Sequence, residues 1–160
     1  MVLRTIFSSE LKTIKAVYLS SVETSDCTGY WVISLVDNLF YSYKVDENGV
    51  NPTPVISQVN FMSRQSRGYL KISPNGKKLA VAHQGLTSTT SGLLLYSFDN
   101  STGVVANDGE MIYNSGGAEA PYGIEFSPSG DMLYASTLDF DTYKLYQFDL
   151  TDSNLATRMT

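Results

Sequence analysis

Short apolar runs separated by turn residues fill this chain of 160 residues. The runs are about five to eight residues long and rich in Val, Ile, Leu, Tyr and Phe, which is the composition of β-strands. Gly, Pro, Asn, Asp and Ser bound them. Because no segment carries a sustained apolar period of 3.6 residues, amphipathic helices are not expected. The pattern therefore predicts an all-β protein.

Two ten-residue segments, at residues 70–79 and 124–133, are near-copies of each other, with a Ser-Pro-x-Gly turn at the centre of each. Each copy is followed by an aromatic run that ends in Phe-Asp, at residues 95–99 and 145–149. In such a turn Pro presets a negative φ, and Gly takes the positive φ that a hairpin exit needs. A period of about 50 residues indicates one supersecondary unit used repeatedly.

Three repeats, at about residues 14–60, 68–114 and 121–160, account for the chain. Each contains four strand-like runs. In the first repeat the predicted strands are residues 14–19, 30–35, 39–45 and 55–59. In the second they are residues 68–73, 78–83, 93–99 and 110–113. In the third they are residues 122–126, 132–137, 143–149 and 155–159. The first repeat has no Ser-Pro-x-Gly turn, and the longer segment 20–29 takes its place.

A repeated four-stranded antiparallel unit of this size is typical of a β-propeller blade. A two-sheet sandwich is the alternative, but it does not require a turn and an aromatic strand to recur at one spacing. We predict a single β-propeller-like region over residues 1–160 with about three blades. Closed propellers carry about four to eight blades, so both ends of such an arc expose apolar sheet faces. Either further blades of a longer chain or a second copy is expected to cover them.

Composition excludes several functions. The net charge of −5 is spread along the chain, without the block of Lys or Arg that nucleic-acid binding needs. The single cysteine, Cys27, excludes an internal disulfide framework. No apolar run is long enough for a membrane span or a signal peptide. We therefore expect neither a nucleic-acid partner nor membrane insertion.

Candidate chemistry is sparse. His83, the only histidine, stands at the end of a predicted strand and is either a general base at a propeller mouth or a buried structural residue. Arg64 and Arg67 lie in one inter-blade loop and could grip a carboxylate. Asp139, with Asp141, could bind calcium or shape a turn. No catalytic residue, metal site or cofactor is predicted.

In propellers, the inter-blade connections and the loops between second and third strands lie on one rim, where loops carry function. Here those segments are residues 63–67, 84–91, 118–122 and 138–142. The predicted contact set on this rim is Arg64, Arg67, His83, Tyr122 and Asp139.

Residues 73–82 and 126–136 resemble the motif Ser-Pro-Asp-Gly-x-x-Leu-Tyr-Val-Ala of WD40-like and YVTN-type β-propellers. More narrowly, residues 30–34, 68–74, 122–128 and 145–150 look like the propeller region of secreted cell-surface proteins associated with gliding motility. The resemblance covers residues 14–150 and implies an extracellular or cell-surface location.

Three functions are compatible with this resemblance. The first is a non-catalytic interaction or scaffold module, part of a larger secreted protein, that binds protein or glycan through its rim loops. The alternative is part of a lactonase-like YVTN hydrolase, by analogy of fold alone. The third is a structural spacer. We expect the first, because no nucleophile or metal motif accompanies the blades.

Overall fold

The computed structural model describes residues 18–61, 67–85, 91–114, 120–138 and 143–153. All regular structure in these ranges is β-strand, and the strands form three antiparallel sheets that follow one another along the chain. We call these sheets blade 1, blade 2 and blade 3.

The second and third strands of every blade agree with the prediction to within one residue at each end. Blade 1 contains β1 (Tyr18–Glu23), β2 (Gly29–Val36), β3 (Leu39–Asp46), β4 (Gly49–Val50) and β5 (Val55–Gln58). Blade 2 contains β6 (Leu70–Ile72), β7 (Lys78–His83), β8 (Gly92–Asp99), β9 (Val104–Val105) and β10 (Glu110–Tyr113). Blade 3 contains β11 (Ala120–Phe126), β12 (Met132–Leu138) and β13 (Tyr143–Asp149). The strand predicted at 155–159 lies outside the described residues.

The Ser-Pro-x-Gly turns close the first hairpins of blades 2 and 3 in the same way. The hydroxyl of Ser73 accepts the N–H of Lys78 at 2.9 Å, and Ser127 accepts the N–H of Met132 at 3.1 Å. The glycine of each turn has a positive φ, 67° in blade 2 and 79° in blade 3. The repeated motif is therefore explained by its turn chemistry.

The same turn exists in blade 1, where the sequence predicted none. Thr24 accepts the N–H of Gly29 at 3.1 Å, as the serines do in blades 2 and 3. Cys27 occupies the glycine position with a φ of 55°. The prediction was wrong because Thr replaces Ser, Ser replaces Pro and Cys replaces Gly, so only the geometry is kept. Consequently β1 extends to Glu23, beyond the end predicted at residue 19.

Replacing Cys27 by glycine is expected to stabilise the fold. A left-handed conformation costs a side-chain-bearing residue about 1–2 kcal/mol, whereas glycine adds roughly 0.4–1 kcal/mol of unfolded-state entropy. Because Cys27 is exposed, little packing is lost. Urea unfolding of Cys27→Gly should show a gain of about 0.5–1 kcal/mol. Gly130→Ala, at the matching turn, should instead lose stability, and a loss in Cys27→Gly would contradict the turn assignment.

The aspartate of each Phe-Asp pair closes the turn that follows the third strand. Asp99 accepts the N–H and the hydroxyl of Ser101 at 2.9 and 2.6 Å, and the hydroxyl of Thr102 at 2.8 Å. Asp149 accepts the N–H and the hydroxyl of Thr151 at 2.9 and 2.6 Å. These hydrogen bonds hold the pKa of both carboxyls below the usual value. The repeated aspartate is thus structural.

The outer strand is split in blades 1 and 2. In blade 1, β4 pairs with the end of β3 and β5 pairs with its beginning. In blade 2, β9 and β10 pair in the same way with β8. The sequence predicted only β5 and β10, because two-residue strands carry no periodic signal.

Blade 2 is buried on both faces. Leu79 and Val81 belong to a core cluster shared with blade 1, whereas Ala80 and Ala82 belong to a second cluster shared with blade 3. All four side chains are fully buried. Since successive strand residues point to opposite faces, three sheets packed in series explain this burial, and a two-layer sandwich does not. The predicted all-β fold of a partial propeller is confirmed.

A tryptophan joins blade 1 to blade 2. The indole Nε1 of Trp31 donates to the carbonyl of Asn100 at 2.9 Å, and the N–H of Ser25 donates to the same oxygen at 3.1 Å. Gly103, with a φ of 79°, lies so close that a Cβ there would stand 2.7 Å from the indole ring. The turn after β8 is therefore seated on blade 1.

Candidate functional site

The first strands of the three blades lie side by side, β1 next to β6 and β6 next to β11. The N–H of Ile72 donates to the hydroxyl of Ser20 at 3.3 Å. The Lys71 Nζ lies 2.7 Å from the Glu125 Oε2. In propellers the first strands surround the axis, so these contacts identify the inner surface of the arc.

Two exposed tyrosines meet where the inner strands of blades 2 and 3 begin. The rings of Tyr69 and Tyr122 are 45% and 43% exposed and make an edge-to-face contact, with centroids 5.5 Å apart and planes at 74°. Tyr69 follows Gly68, which has a φ of 128°, a backbone conformation that glycine adopts far more readily than residues with a side chain. We call Tyr69 and Tyr122 the tyrosine pair.

A β-bulge accounts for the orientation of Tyr122. The pairing of β11 with β12 shifts register between Pro121 and Ile124, which takes Tyr122 and Gly123 out of the ladder. Bulges re-aim side chains and are frequent beside functional sites. The N–H of Gly123 is satisfied by the hydroxyl of Ser136 at 3.1 Å. Irregular backbone therefore lies next to both tyrosines, at Gly68 before Tyr69 and in the bulge that contains Tyr122.

The tyrosine pair combines apolar ring faces with polar hydroxyl tips. Further along the same two strands, the Lys71–Glu125 ion pair adds a cation and a carboxylate whose side chains are 33% and 65% exposed. Aromatic faces with a few convergent polar groups are typical of small-molecule sites. Such a surface suits a ligand that has apolar C–H faces edged by hydroxyl groups.

Arg67 lies two residues before Tyr69 and is exposed. Its carbonyl accepts the hydroxyl of Tyr18 at 2.8 Å and the N–H of Gln84 at 2.9 Å. These bonds tie the segment before β6 to blade 1 and to the end of β7. Arg67 thus stands at the same end of the inner strands as the tyrosine pair.

His83 is buried between blades 1 and 2, with 1% of its surface exposed. Its Nδ1 lies 3.2 Å from the hydroxyl of Tyr18, and its ring centroid lies 4.9 Å from that of Phe61. Burial lowers the pKa of His83 to about 3. Its Nε2 has no hydrogen-bond partner among the described residues. In this arrangement His83 is a neutral core residue that a ligand on the surface does not reach.

His83 should make stability depend on pH. Its pKa, lowered from 6.5 to about 3 in the folded chain, means that below pH 6.5 the unfolded chain binds a proton that the fold excludes. The free energy of unfolding therefore keeps its full value above pH 6.5 and falls towards pH 3, by about 1.4 kcal/mol per pH unit. Urea unfolding at pH 7 and pH 5 should differ by about 2 kcal/mol.

The matched variant for this experiment is His83→Phe, which keeps an aromatic ring and removes the titration. Because the chain has no other histidine, the variant should lose little stability between pH 7 and pH 5. An equal loss in both proteins would contradict the buried, neutral imidazole.

The predicted contact set is only partly described. Arg64 and Asp139 lie outside the described residues. The hydroxyl of Tyr18 contacts both the main-chain carbonyl of Arg67 and the buried ring of His83. Tyr122 contacts Tyr69 in the neighbouring blade. Tyr69 was not among the residues predicted from the sequence. The available signal was a Gly-Tyr pair at residues 68–69 and a Tyr-Gly pair at residues 122–123, at the same place in two repeats.

The described residues contain neither a cluster of metal ligands nor a helix that could span a membrane. In the described ranges, no three His, Cys, Asp or Glu side chains lie close enough to hold a metal ion together. The carboxylate of Asp46 accepts the N–H of Asn48 at 2.8 Å within its own turn. The described part of the chain has no helix of the length and apolarity needed to cross a bilayer.

No protein-family model and no curated protein matches the chain. Solved structures do match. The periplasmic gluconolactonase of Pseudomonas aeruginosa is similar over 82% of this chain and 39% of its own, with a TM-score of 0.54 and 17% identity. A Bacteroides fragilis protein assigned as a 6-phosphogluconolactonase is similar over 88% of this chain and 38% of its own, with a TM-score of 0.55 and 14% identity.

These likenesses concern the fold. At such identities they support the propeller architecture and leave the resemblance to YVTN repeats and gliding-motility proteins a prediction. The chain spans about two fifths of the length of both neighbours. The names of both neighbours are those of enzymes.

Proposed function

We propose that this chain is part of a lactonase-like β-propeller whose inner strands bind a sugar lactone or the related sugar acid. The tyrosine pair carries the proposal, because it places two exposed aromatic rings at the mouth of the inner surface. A pyranose-like ring offers C–H faces to such rings and hydroxyl groups to Lys71 and Glu125. The names gluconolactonase and 6-phosphogluconolactonase support this ligand class.

The second candidate is the non-catalytic binding module expected from the sequence. The burial of His83 favours it, because the only histidine of the chain is not available to a surface ligand. Both candidates use the tyrosine pair as the binding element. They differ in whether the lactone ester is opened by water after binding.

Binding and hydrolysis should be measured on the same protein. Gluconate binding is followed by calorimetry, and glucono-1,5-lactone hydrolysis by proton release above the spontaneous rate in buffer. We expect Tyr122→Ala and Tyr69→Ala each to weaken gluconate binding roughly tenfold, as loss of one aromatic anchor does. Tyr122→Phe, which keeps the ring, should bind within a few-fold of the wild type.

Val104→Ala is the control, because this residue of β9 is 43% exposed and lies outside the tyrosine pair and the inner strands. It should bind as the wild type does. Hydrolysis above the buffer rate that is lost in Tyr122→Ala would support the lactonase, and binding without hydrolysis would support the non-catalytic module. Absence of binding, or equal binding in every variant, would overturn the proposed site.

The extracellular or cell-surface location stays a prediction. The periplasmic location in the name of the Pseudomonas neighbour supports a site of action outside the cytoplasm. Protein or glycan partners of the rim loops likewise stay predictions.

A further inference from the structure

The side of blade 1 that points away from blade 2 exposes a broad apolar surface. Its exposed members come from three strands: Leu19 of β1 is 67% exposed, Tyr30 of β2 is 53% exposed, and Ile56 of β5 is 57% exposed. The strand register places further apolar residues on the same side, namely Val32, Tyr41, Tyr43 and Val45. We call this surface end face 1.

The side of blade 3 that points away from blade 2 is also apolar. Leu145 is 73% exposed and pairs with Ser136, and Tyr143 is 85% exposed. The register adds Met132 and Tyr134, both partly buried, to this side. We call this surface end face 2. Five of the eight exposed large hydrophobic residues in the described ranges belong to the two end faces.

The equivalent sides of the internal blade show which kind of surface each end face matches. Within the arc, one side of a blade packs on the preceding blade and the opposite side on the following one. Alignment of the hairpin turns makes Tyr30 and Val32 equivalent to Leu79 and Val81, the residues through which blade 2 packs on its predecessor. End face 1 is therefore equivalent to the side of blade 2 that packs on the preceding blade.

End face 2 has the opposite position, because its strands would meet a following blade. The two end faces are thus the two halves of one blade-to-blade contact. Blade 2 stands between them, so they cannot meet within one copy. A second copy of the chain carries the surface that matches each end face.

We propose that two copies of this chain associate end face 1 to end face 2, twice, around a twofold axis. The two interfaces are the same, and each continues the blade-to-blade packing seen inside the arc. Two arcs of three blades close a ring of six, within the range of about four to eight blades that closed propellers have. A heterologous contact that closes in this way gives a defined dimer and no filament.

Sedimentation equilibrium of the 160-residue chain at up to about 0.1 mM should give the mass of a dimer. Tyr30→Glu should disrupt the contact made by end face 1, and Leu145→Glu the contact made by end face 2, because each places a charge in an apolar interface. Each variant alone should dissociate at least tenfold more readily. Val104→Glu, on β9 and 43% exposed, alters neither face and should leave the dimer intact.

Mixing the two variants distinguishes this arrangement from other dimers. A Tyr30→Glu copy keeps end face 2 and a Leu145→Glu copy keeps end face 1, so the mixture should form a heterodimer through one intact interface. Circular dichroism and Trp31 fluorescence must show that both variants are folded. A monomer, a filament, a dimer unaffected by either variant, or no heterodimer from folded variants would overturn the proposal. This test reads mass and is independent of the proposed ligand.

Discussion

Replacing Phe40 by alanine is expected to lower the free energy of unfolding by about 3–5 kcal/mol. Phe40 is fully buried and makes an edge-to-face contact with Tyr96 across the boundary of blades 1 and 2, with centroids 5.4 Å apart. The loss combines the transfer of a phenyl ring to water with the cavity that remains. Because domains of this size are stable by roughly 5–15 kcal/mol, the effect is a large fraction of the total.

Urea unfolding of Phe40→Ala should be followed by far-ultraviolet circular dichroism and by the fluorescence of Trp31. Trp31 is the only tryptophan and is 6% exposed at the same boundary, so it reports the docking of the two blades directly. Val104→Ala, at an exposed position of blade 2, should cost less than about 1 kcal/mol. A similarly small loss in Phe40→Ala would show that blades 1 and 2 do not share this core.

Gly68→Ala should lower the free energy of unfolding by about 2–4 kcal/mol. Gly68 has a φ of 128°, and a Cβ there would collide with the carbonyl oxygen of Ala82. Backbone atoms cannot move aside as the end of a side chain can. The segment before β6 would shift and take Tyr69 with it, so loss of stability and loss of ligand binding should occur together.

Gly49→Ala is the matched control for this prediction. Gly49 also has a positive φ, of 107°, but a Cβ there would meet no atom within 4 Å. It should therefore show only the cost of the backbone conformation, about 1–2 kcal/mol. Equal losses at both positions would mean that the close approach to Ala82 is absent.

The sequence predicted the parts of the fold that depend on local chemistry. The strands next to Ser73-Pro-Asn-Gly76 and Ser127-Pro-Ser-Gly130 were found because turn residues and apolar runs recur together. The turn at Thr24 was missed because its geometry survives in residues that lack the usual composition. Short strands such as β4 and β9 were missed because two residues show no alternation.

The site was harder to predict, because it depends on contacts between blades. His83 ends a strand and was expected on the rim, but Tyr18 of β1 and Phe61, in the segment after β5, cover it. Tyr69 and Tyr122 are 53 residues apart and meet only when the inner strands of blades 2 and 3 stand side by side. A single sequence shows the repeat unit, and the stacking of units decides which side chains are exposed.

Consecutive blades pack face to face in series. The most direct test is a two-dimensional nuclear Overhauser spectrum of the folded chain. We predict contacts from the indole ring of Trp31 to the α-protons of Gly103, which the ring should shift upfield, and contacts between the rings of Tyr69 and Tyr122. An unshifted Gly103 without contact to Trp31, together with no contact between the two tyrosines, would contradict the stacked arc.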